Sequence, residues 1–247
     1  NQRQALRDHP ELNIAVGTSK NKERTSNGQS LHIDTRIYSA PINTQHRLFA
    51  HQYYENTRFD AGSAYYNRLG FGWESSIARV AKLDIEIQQE FFKNNHNSVL
   101  LGGEMQFNDY WQIKGRYDSN SIDVPLRARV SAIGGQAVYL GGGFRLHERA
   151  AIDLDIQQLS MSDSNQRRSL SATGEYQFIR GPFYKAAAAL DINAATNTLL
   201  NTAYFNPVRD HTIQLTLKNE WLGYRRYARS FYQRFYFSAG EYVQQNH

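Results

Sequence analysis

The segment spanning residues 82–91, KLDIEIQQEF, indicates β-structure because apolar and polar residues alternate along it. Leucine and isoleucine occupy positions 83, 85 and 87, and lysine, aspartate, glutamate and glutamine occupy the even positions from 82 to 88. The same period of two recurs at 151–157, 169–178 and 212–218. Successive side chains of a strand point to opposite faces, so these segments are predicted to be strands with one apolar and one polar face.

Thirteen segments have this character, and together they predict an all-β protein. Many are ten residues or longer, whereas strands of globular proteins typically have about five or six residues. About nine to eleven residues are needed to cross a bilayer at a tilt. The predicted strands cover residues 11–18, 31–40, 46–55, 65–75, 80–92, 98–107, 111–117, 135–146, 151–161, 168–179, 183–195, 211–222 and 229–243.

The connections between these strands fall into two alternating sets. Those after the even-numbered strands are short, namely 41–45, 76–79, 108–110, 147–150 and 180–182. Those after the odd-numbered strands tend to be longer, namely 19–30, 56–64, 93–97, 118–134, 162–167 and 196–210. Short turns on one side and longer loops on the other are typical of a transmembrane antiparallel up-and-down β-barrel, with periplasmic turns and extracellular loops. The pattern favours such a barrel over a soluble β-fold.

The strand count sets an expectation for the whole barrel. The first connection is long, which places the N-terminus on the periplasmic side, and an odd number of strands does not close a single-chain bacterial barrel. We therefore expect about three further strands beyond residue 247, giving about sixteen, the size that leaves an aqueous channel. Residues 1–247 are predicted to form one outer-membrane barrel domain whose last strands are missing.

Composition narrows the class further. The chain has 247 residues with no cysteine, which excludes disulfide scaffolds and cysteine-ligated metals. Its formal charge is only +5, which is weak evidence for nucleic acid, and none is expected as a partner. No run of eighteen apolar residues predicts a transmembrane helix. An aromatic content of 13% in a polar chain fits either a soluble all-β domain or an outer-membrane barrel, whose apolar faces contact lipid.

The sequence offers little catalytic chemistry. It contains no G-x-S-x-G, P-loop, H-E-x-x-H or G-x-G-x-x-G pattern. His32 and Asp34 share the polar face of one strand and make at most half a metal site. Gly141–Gly143 lies within a strand pattern and is interpreted as relieving crowding in the wall. We therefore predict no enzyme, no cofactor and no metal.

The polar strand faces are the stronger functional signal. Their predicted parity directs twelve acids and nine bases into the lumen, so the lumen is predicted to carry an excess of negative charge that its walls would focus. Aromatic side chains on the same faces are candidates for stacking on sugar rings. The predicted polysaccharide-path residues are Asp34, Asp84, Glu86, Glu104, Asp153, Asp155, Glu175, Asp191, Glu220, Tyr38 and Tyr139. The acids of the fifth and ninth strands are the first candidates among them.

Several strings from about residue 31 onward resemble one family in their order and spacing. They are NDYWQI at 108–113, PLRA at 125–128, YFNP at 204–207 followed by Arg209 and Asp210, RRY at 225–227, and Phe231 with Gln233 and Arg234. Together they resemble the C-terminal barrel of PgaA-type poly-β-1,6-N-acetyl-D-glucosamine export porins.

The resemblance implies a two-part exporter. In that family a periplasmic tetratricopeptide-repeat region precedes a barrel of about sixteen strands, the size class of porins. The repeat region, which this sequence lacks, is expected to engage a periplasmic polysaccharide deacetylase. The barrel would pass the partly deacetylated, cationic polysaccharide to the cell surface, with loops 118–134 and 196–210 as candidate gates.

Three alternatives remain at this point. A general diffusion porin for small solutes is the first. An adhesive barrel that works through its outer loops is the second, and a soluble sugar-binding β-domain is the third.

Overall fold

The computed structural model describes residues 9–22, 27–59, 62–77, 80–92, 96–199, 202, 204–227 and 229–245. Within these residues, one antiparallel sheet of thirteen strands accounts for nearly all the regular structure. No helix among the described residues has the length and apolar character required for a membrane span.

The thirteen strands follow one another in chain order across the sheet, as a meander. The predicted up-and-down architecture is confirmed, and each predicted strand has its counterpart. Within the described residues, β1 and β13 are the two edges of the sheet. The strands are β1 (Glu11–Lys22), β2 (Asn27–Tyr38), β3 (His46–Phe59), β4 (Gly62–Ile77), β5 (Ala81–Glu90), β6 (His96–Gln106), β7 (Trp111–Asp118), β8 (Gly135–His147), β9 (Ala150–Met161), β10 (Gln166–Arg180), β11 (Tyr184–Asn197), β12 (Arg209–Arg226) and β13 (Arg229–Gln245).

The period-two pattern separates an apolar outer face from a polar inner face. Phe71 and Ile87 are 71% and 65% exposed on the outer face, whereas Glu86 is 1% exposed on the inner one. Ile85 pairs with Trp73 of β4 and Leu101 of β6, so apolar residues continue from strand to strand. An apolar band that faces outward is the arrangement by which a barrel meets lipid.

The register also settles two strands whose sequence fits either face. In β3, Phe49 pairs with Gly72 and Tyr53 pairs with Arg68, which places both aromatic side chains on the inner face. In β13, Tyr232 and Tyr236 pair with Leu222 and Lys218 and share that face. The neighbouring residues 48, 54, 235 and 237 therefore lie on the outer face.

The three tryptophans mark one rim of the sheet. Trp73, Trp111 and Trp221 all lie within a few residues of a short turn, and Trp111 packs on Phe144 with ring centroids 4.4 Å apart. Aromatic side chains collect where a barrel wall crosses the membrane–water interface. The rim with the short turns therefore carries an aromatic girdle.

The predicted loop lengths need correction. Much of 19–30 and 56–64 is strand, because β1 and β2 pair from Glu11 and Tyr38 out to Lys22 and Asn27, and β3 and β4 pair as far as Phe59 and Gly62. The tips 23–26, 60–61 and 93–95 lie outside the described residues. Conversely, the connection that was predicted to cover 41–45 extends over 39–45 and contains an Ile42–His46 bridge. Only 119–134 and 198–208 are long loops among the described connections.

The loop 119–134 folds onto the inner face. It contains a short helix, α1 (Leu126–Val130), that no period-3.6 pattern in the sequence predicts. Val124 and Ala128 from this loop are buried against the inner-face residues Ala137, Leu159 and Met161, together with Tyr204 from the other long loop. This small apolar cluster fixes the loop against the wall.

Candidate functional site

The inner face is the candidate functional site, because all eleven predicted path residues lie on it. The strand register connects them in rows. Glu74 of β4 pairs with Asp84 of β5, and Asp153 of β9 pairs with Thr173 of β10, which in turn pairs with Asp191 of β11. Tyr38 packs on Phe49 of the same face with ring centroids 5.4 Å apart. Their role as a polymer path stays a prediction.

Glycines on this face make room for the acids of neighbouring strands. A Cβ added at Gly70 would collide with the carboxylate of Glu86, and one at Gly102 would collide with that of Asp84. At Gly141 it would collide with Asp155 and Lys114. The interpretation of the 141–143 run as relief of crowding is therefore confirmed for Gly141, and the acidic side chains lie against the wall.

One part of the inner face, which we name the covered region, lies under the loop 119–134. Arg129 of α1 donates to Glu90 Oε2 at 3.1 Å and places its guanidinium 4.4 Å from the centre of the Tyr66 ring. Arg68 donates to Asp118 Oδ2 at 3.3 Å. All five residues are at most 4% exposed. Buried charges that are paired in this way hold a structure in place, because leaving either partner alone is costly.

A histidine at the border of this region lies between two carboxylates. His51 Nδ1 is 2.7 Å from Glu86 Oε1, and Nε2 is 3.2 Å from Asp34 Oδ1. Glu86 therefore serves chiefly as a partner of His51, and its burial keeps its carboxylate away from the lumen surface.

The remaining inner face, which we name the open region, lies outside the part that the loop 119–134 covers. Some of its acids form ion pairs: Asp155 with Lys114 at 3.1 Å, Glu175 with Lys218 at 2.6 Å, and Glu220 with Lys185 and Arg234 at 2.9 and 2.8 Å. Others, which include Asp84, Glu104, Asp153 and Asp191, have no ion pair within the described residues. Glu104 and Asp191 accept only neutral hydrogen bonds, from Gln112 and Thr173. Each of the four is partly or fully exposed.

Two cavities lie where the loop 119–134 meets the wall. The first, of about 370 Å³, is lined by Arg116, Asp118, Ser121, Asp123, Ala137, Tyr139 and Gln157. The second, of about 460 Å³, is lined by Asp123, Pro125, Met161, Arg167, Asn197, Tyr204, Phe205, Asn206, Asp210 and Tyr242. Both are within the range of sites that hold small ligands, and both combine aromatic and polar groups.

A polar network built on Asn165 secures the second long loop. Asn165 is fully buried, donates to Tyr204 Oη at 3.1 Å and accepts the backbone N–H groups of residues 198 and 199. Tyr204 donates to Asp163 Oδ2 at 2.8 Å. Burial, followed by the neighbouring Asp163 carboxylate, raises the pKa of Tyr204 to about 12, so its hydroxyl stays a donor at neutral pH. Both loops expected to act as gates are thus anchored where they meet the wall.

Sequence reasoning did not select Asp123, Arg129 or Asn165. All three lie in loops, where no strand parity assigns a side chain to the lumen. The only local signal was a pair of apolar residues, Val124 and Ala128, within a predicted loop. The covered region depends on contacts between distant segments, and alternation along one strand carries no information on these.

Three comparisons with known proteins bear on this arrangement. The profile of a family described as "PgaA membrane beta barrel domain" matches residues 6–247. Two curated proteins named "Poly-beta-1,6-N-acetyl-D-glucosamine export protein", from Escherichia coli strain K12 and from Escherichia coli O157:H7, are each 28% identical over 234 residues, covering 93% of this chain and 28% of the relative. A solved structure titled "Bacterial polysaccharide outer membrane secretin" superposes with a TM-score of 0.87 and 26% identity, over 96% of this chain and 80% of that one. The chain thus spans about 28% of the length of these curated relatives.

Proposed function

The chain belongs to the PgaA membrane β-barrel domain family, whose place is the outer membrane, and we propose that it forms the wall through which partly de-N-acetylated poly-β-1,6-N-acetyl-D-glucosamine leaves the cell. The names of the curated relatives and of the solved structure, which refer to export and secretion rather than to a reaction, support transport without catalysis.

One observation carries the proposal: the charges that are left unpaired on the inner face are mostly acidic. Within the described strands, six acids of this face have no ion pair, against three bases. The acids are Glu55, Glu74, Asp84, Glu104, Asp153 and Asp191, and the bases are Lys82, Arg145 and Arg225. The three bases lie near the rim with the short turns. An unpaired carboxylate in a lumen is free to pair with a passing cation.

This charge distribution suits a polymer with scattered ammonium groups. Removal of an acetyl group from a glucosamine unit leaves an amine that is protonated at neutral pH, so a partly deacetylated chain carries positive charges along its length. Conduction requires binding that is favourable enough for entry and weak enough for release, at several sites in series. Exposed carboxylates without ion pairs meet this requirement better than buried, paired ones.

The mechanism we propose is passive. No nucleotide-binding motif occurs in the sequence, and the polymer is pushed by its own synthesis behind it. Asp84, Glu104, Asp153 and Asp191 hold each glucosamine unit briefly and pass it on. Glu86 is buried and hydrogen-bonded to His51, and in this mechanism it stabilises the wall instead of binding the polymer. A periplasmic deacetylase supplies the ammonium groups, and its engagement with the exporter is part of this proposal.

Complementation of cells that lack their own exporter tests the proposal. The test variant carries Asp84→Asn, Glu104→Gln, Asp153→Asn and Asp191→Asn, and the control carries Asp109→Asn, Glu148→Gln and Glu241→Gln, which lie off the inner face. We expect the test variant to assemble in the outer membrane but to lower surface polymer at least tenfold, and the control to match the wild type. Unchanged export by the test variant would refute the acid path.

Liposome swelling separates the general diffusion porin from the exporter. A general porin would admit small neutral sugars at a high rate, and its permeability would be indifferent to glucosamine oligomers. We expect slow swelling that cationic oligomers reduce further.

A further inference from the structure

Asp123 stands apart from the other acids that face the lumen, because it lies in the inward-folded loop rather than in a strand. Its Oδ2 accepts from Ser121 Oγ at 2.9 Å and from Gln157 Nε2 at 2.6 Å. Both donors are neutral, and the structure shows no ion pair for Asp123 within the described residues. The side chain is exposed, so a carboxylate without a direct ion pair among the described residues is held in a defined position at the lumen surface.

The two cavities of the inner face meet at this residue. Asp123 lines both of them and is the one residue that they share among those described. The first cavity is also lined by Tyr139, whose hydroxyl donates a hydrogen bond to Asp155. The second adds the rings of Phe205 and Tyr242. Each cavity thus combines an aromatic side chain with access to one common carboxylate.

We propose that the two cavities are consecutive sugar subsites of the exported polymer, with Asp123 pairing with the ammonium group of a deacetylated unit in either one. This inference rests on the proposed function and locates two of the places where the polymer would bind. Sugar rings present apolar faces that pack on aromatic side chains, and a few polar groups then fix their orientation. A charge-assisted hydrogen bond to a carboxylate contributes more than a neutral one. The shared carboxylate lets an ammonium group move from one subsite to the next without losing its partner.

The loop that carries Asp123 is rigid enough to serve as part of a binding site. On one side of Asp123, Ser121 donates its backbone N–H to Gly135 O at 2.8 Å and accepts Arg129 at its own carbonyl. On the other side, Val124 is 2% exposed within the apolar cluster. A group that is fixed before the ligand arrives loses less conformational entropy on binding. Asp123 is therefore pre-positioned, unlike an acid at the tip of a free loop.

Single-channel recording of the protein in planar bilayers tests the proposal, with the residence time of added oligomers as the readout. The probes are a glucosamine hexamer, which is cationic, and a fully acetylated hexamer, which is neutral. Asp123→Asn is expected to shorten the residence of the cationic hexamer about tenfold, the effect of losing one charge-assisted hydrogen bond. It is expected to leave the neutral hexamer unchanged, and Asp123→Glu should restore most of the effect. Asp109→Asn, in the turn between β6 and β7, is the matched control.

A second variant addresses the aromatic part of the site. Tyr242→Leu is expected to shorten the residence of both hexamers by a similar factor, because a ring face does not distinguish an amine from an acetamide. Equal residence of the cationic hexamer in the wild type and Asp123→Asn would overturn the subsites while leaving the exporter intact. A wild-type channel that neither hexamer blocks would instead overturn the proposed function and the subsites together.

Discussion

The covered and open regions of the inner face carry the same kinds of side chain but use them differently. In the covered region, Arg68, Glu90, Asp118 and Arg129 are buried and joined in two ion pairs. In the open region, Asp84, Glu104, Asp153 and Asp191 are accessible and have no ion pair among the described residues. The first set holds the loop 119–134 against the wall, and the second set faces the lumen.

This difference separates structural from functional charge on a single surface. Burial removes a charge from contact with a passing polymer and makes its partner indispensable. Exposure weakens any fixed pair and leaves the group available for a mobile ligand. A net charge does not distinguish the buried, paired groups from the accessible ones. The predicted negative charge of the lumen was counted over both sets. The ion pairs distinguish the acids that already have a basic partner from those that have none within the described residues.

Breaking the covered region is expected to have the largest effect on stability. Arg129→Ala leaves Glu90 buried at 4% exposure without its partner, and loss of one member of such a pair costs about 3–5 kcal/mol. Because the loop 119–134 is released from the wall at the same time, we also expect a larger single-channel conductance. Denaturant unfolding in lipid vesicles measures the first quantity, and planar-bilayer recording measures the second.

The double variant Arg129→Met with Glu90→Gln is the control for this prediction. It removes both charges and keeps the volume, so much of the lost stability should return. If Arg129→Ala unfolds with wild-type free energy and conducts like the wild type, the loop is not held by this pair.

Neutralising acids of the open region is expected to lower export while leaving the stability of the protein almost unchanged. The four substitutions at Asp84, Glu104, Asp153 and Asp191 remove partly or fully exposed groups that have no ion pair among the described residues. The free energy of unfolding should therefore change by less than about 0.5 kcal/mol for each substitution. Surface polymer should nevertheless fall at least tenfold. A loss of export accompanied by an equal loss of assembled barrel would erase the distinction between the two regions.

The smallest expected effect concerns the glycines beneath the open region. Gly141→Ala forces Asp155 and Lys114 off the wall, and their partly exposed pair is worth at most about 1 kcal/mol. Gly142→Ala, one residue away on the outer face, meets nothing closer than 3.8 Å. We expect a destabilisation of about 1 kcal/mol for the first variant and almost none for the second, as measured by denaturant unfolding. Equal values would show that the inner-face side chains do not rest against the wall as described.

Alternation along single strands was enough to predict the thirteen strands and the face on which each path residue lies. Leu83, Ile85 and Ile87 show why, since a shift by one residue would turn all three into the lumen. The ends of β1 and β3 were less predictable, because polar residues such as Asn21 and Asn56 fit a long strand beyond the membrane as well as a loop. The contacts of Arg129 with Glu90 and of Asp123 with Gln157 join segments far apart in sequence, and no local pattern encodes them.

The most direct test of the central claim is the block of single channels by the glucosamine hexamer, compared between the wild type and the variant lacking the four open acids, at low and at high salt. We predict that the wild type is blocked at low salt and much less at high salt, because exposed charges are screened. The variant should show brief block that hardly depends on salt. Block of equal duration and equal salt dependence in both proteins would contradict the account, because the unpaired acids would then have no part in holding the polymer.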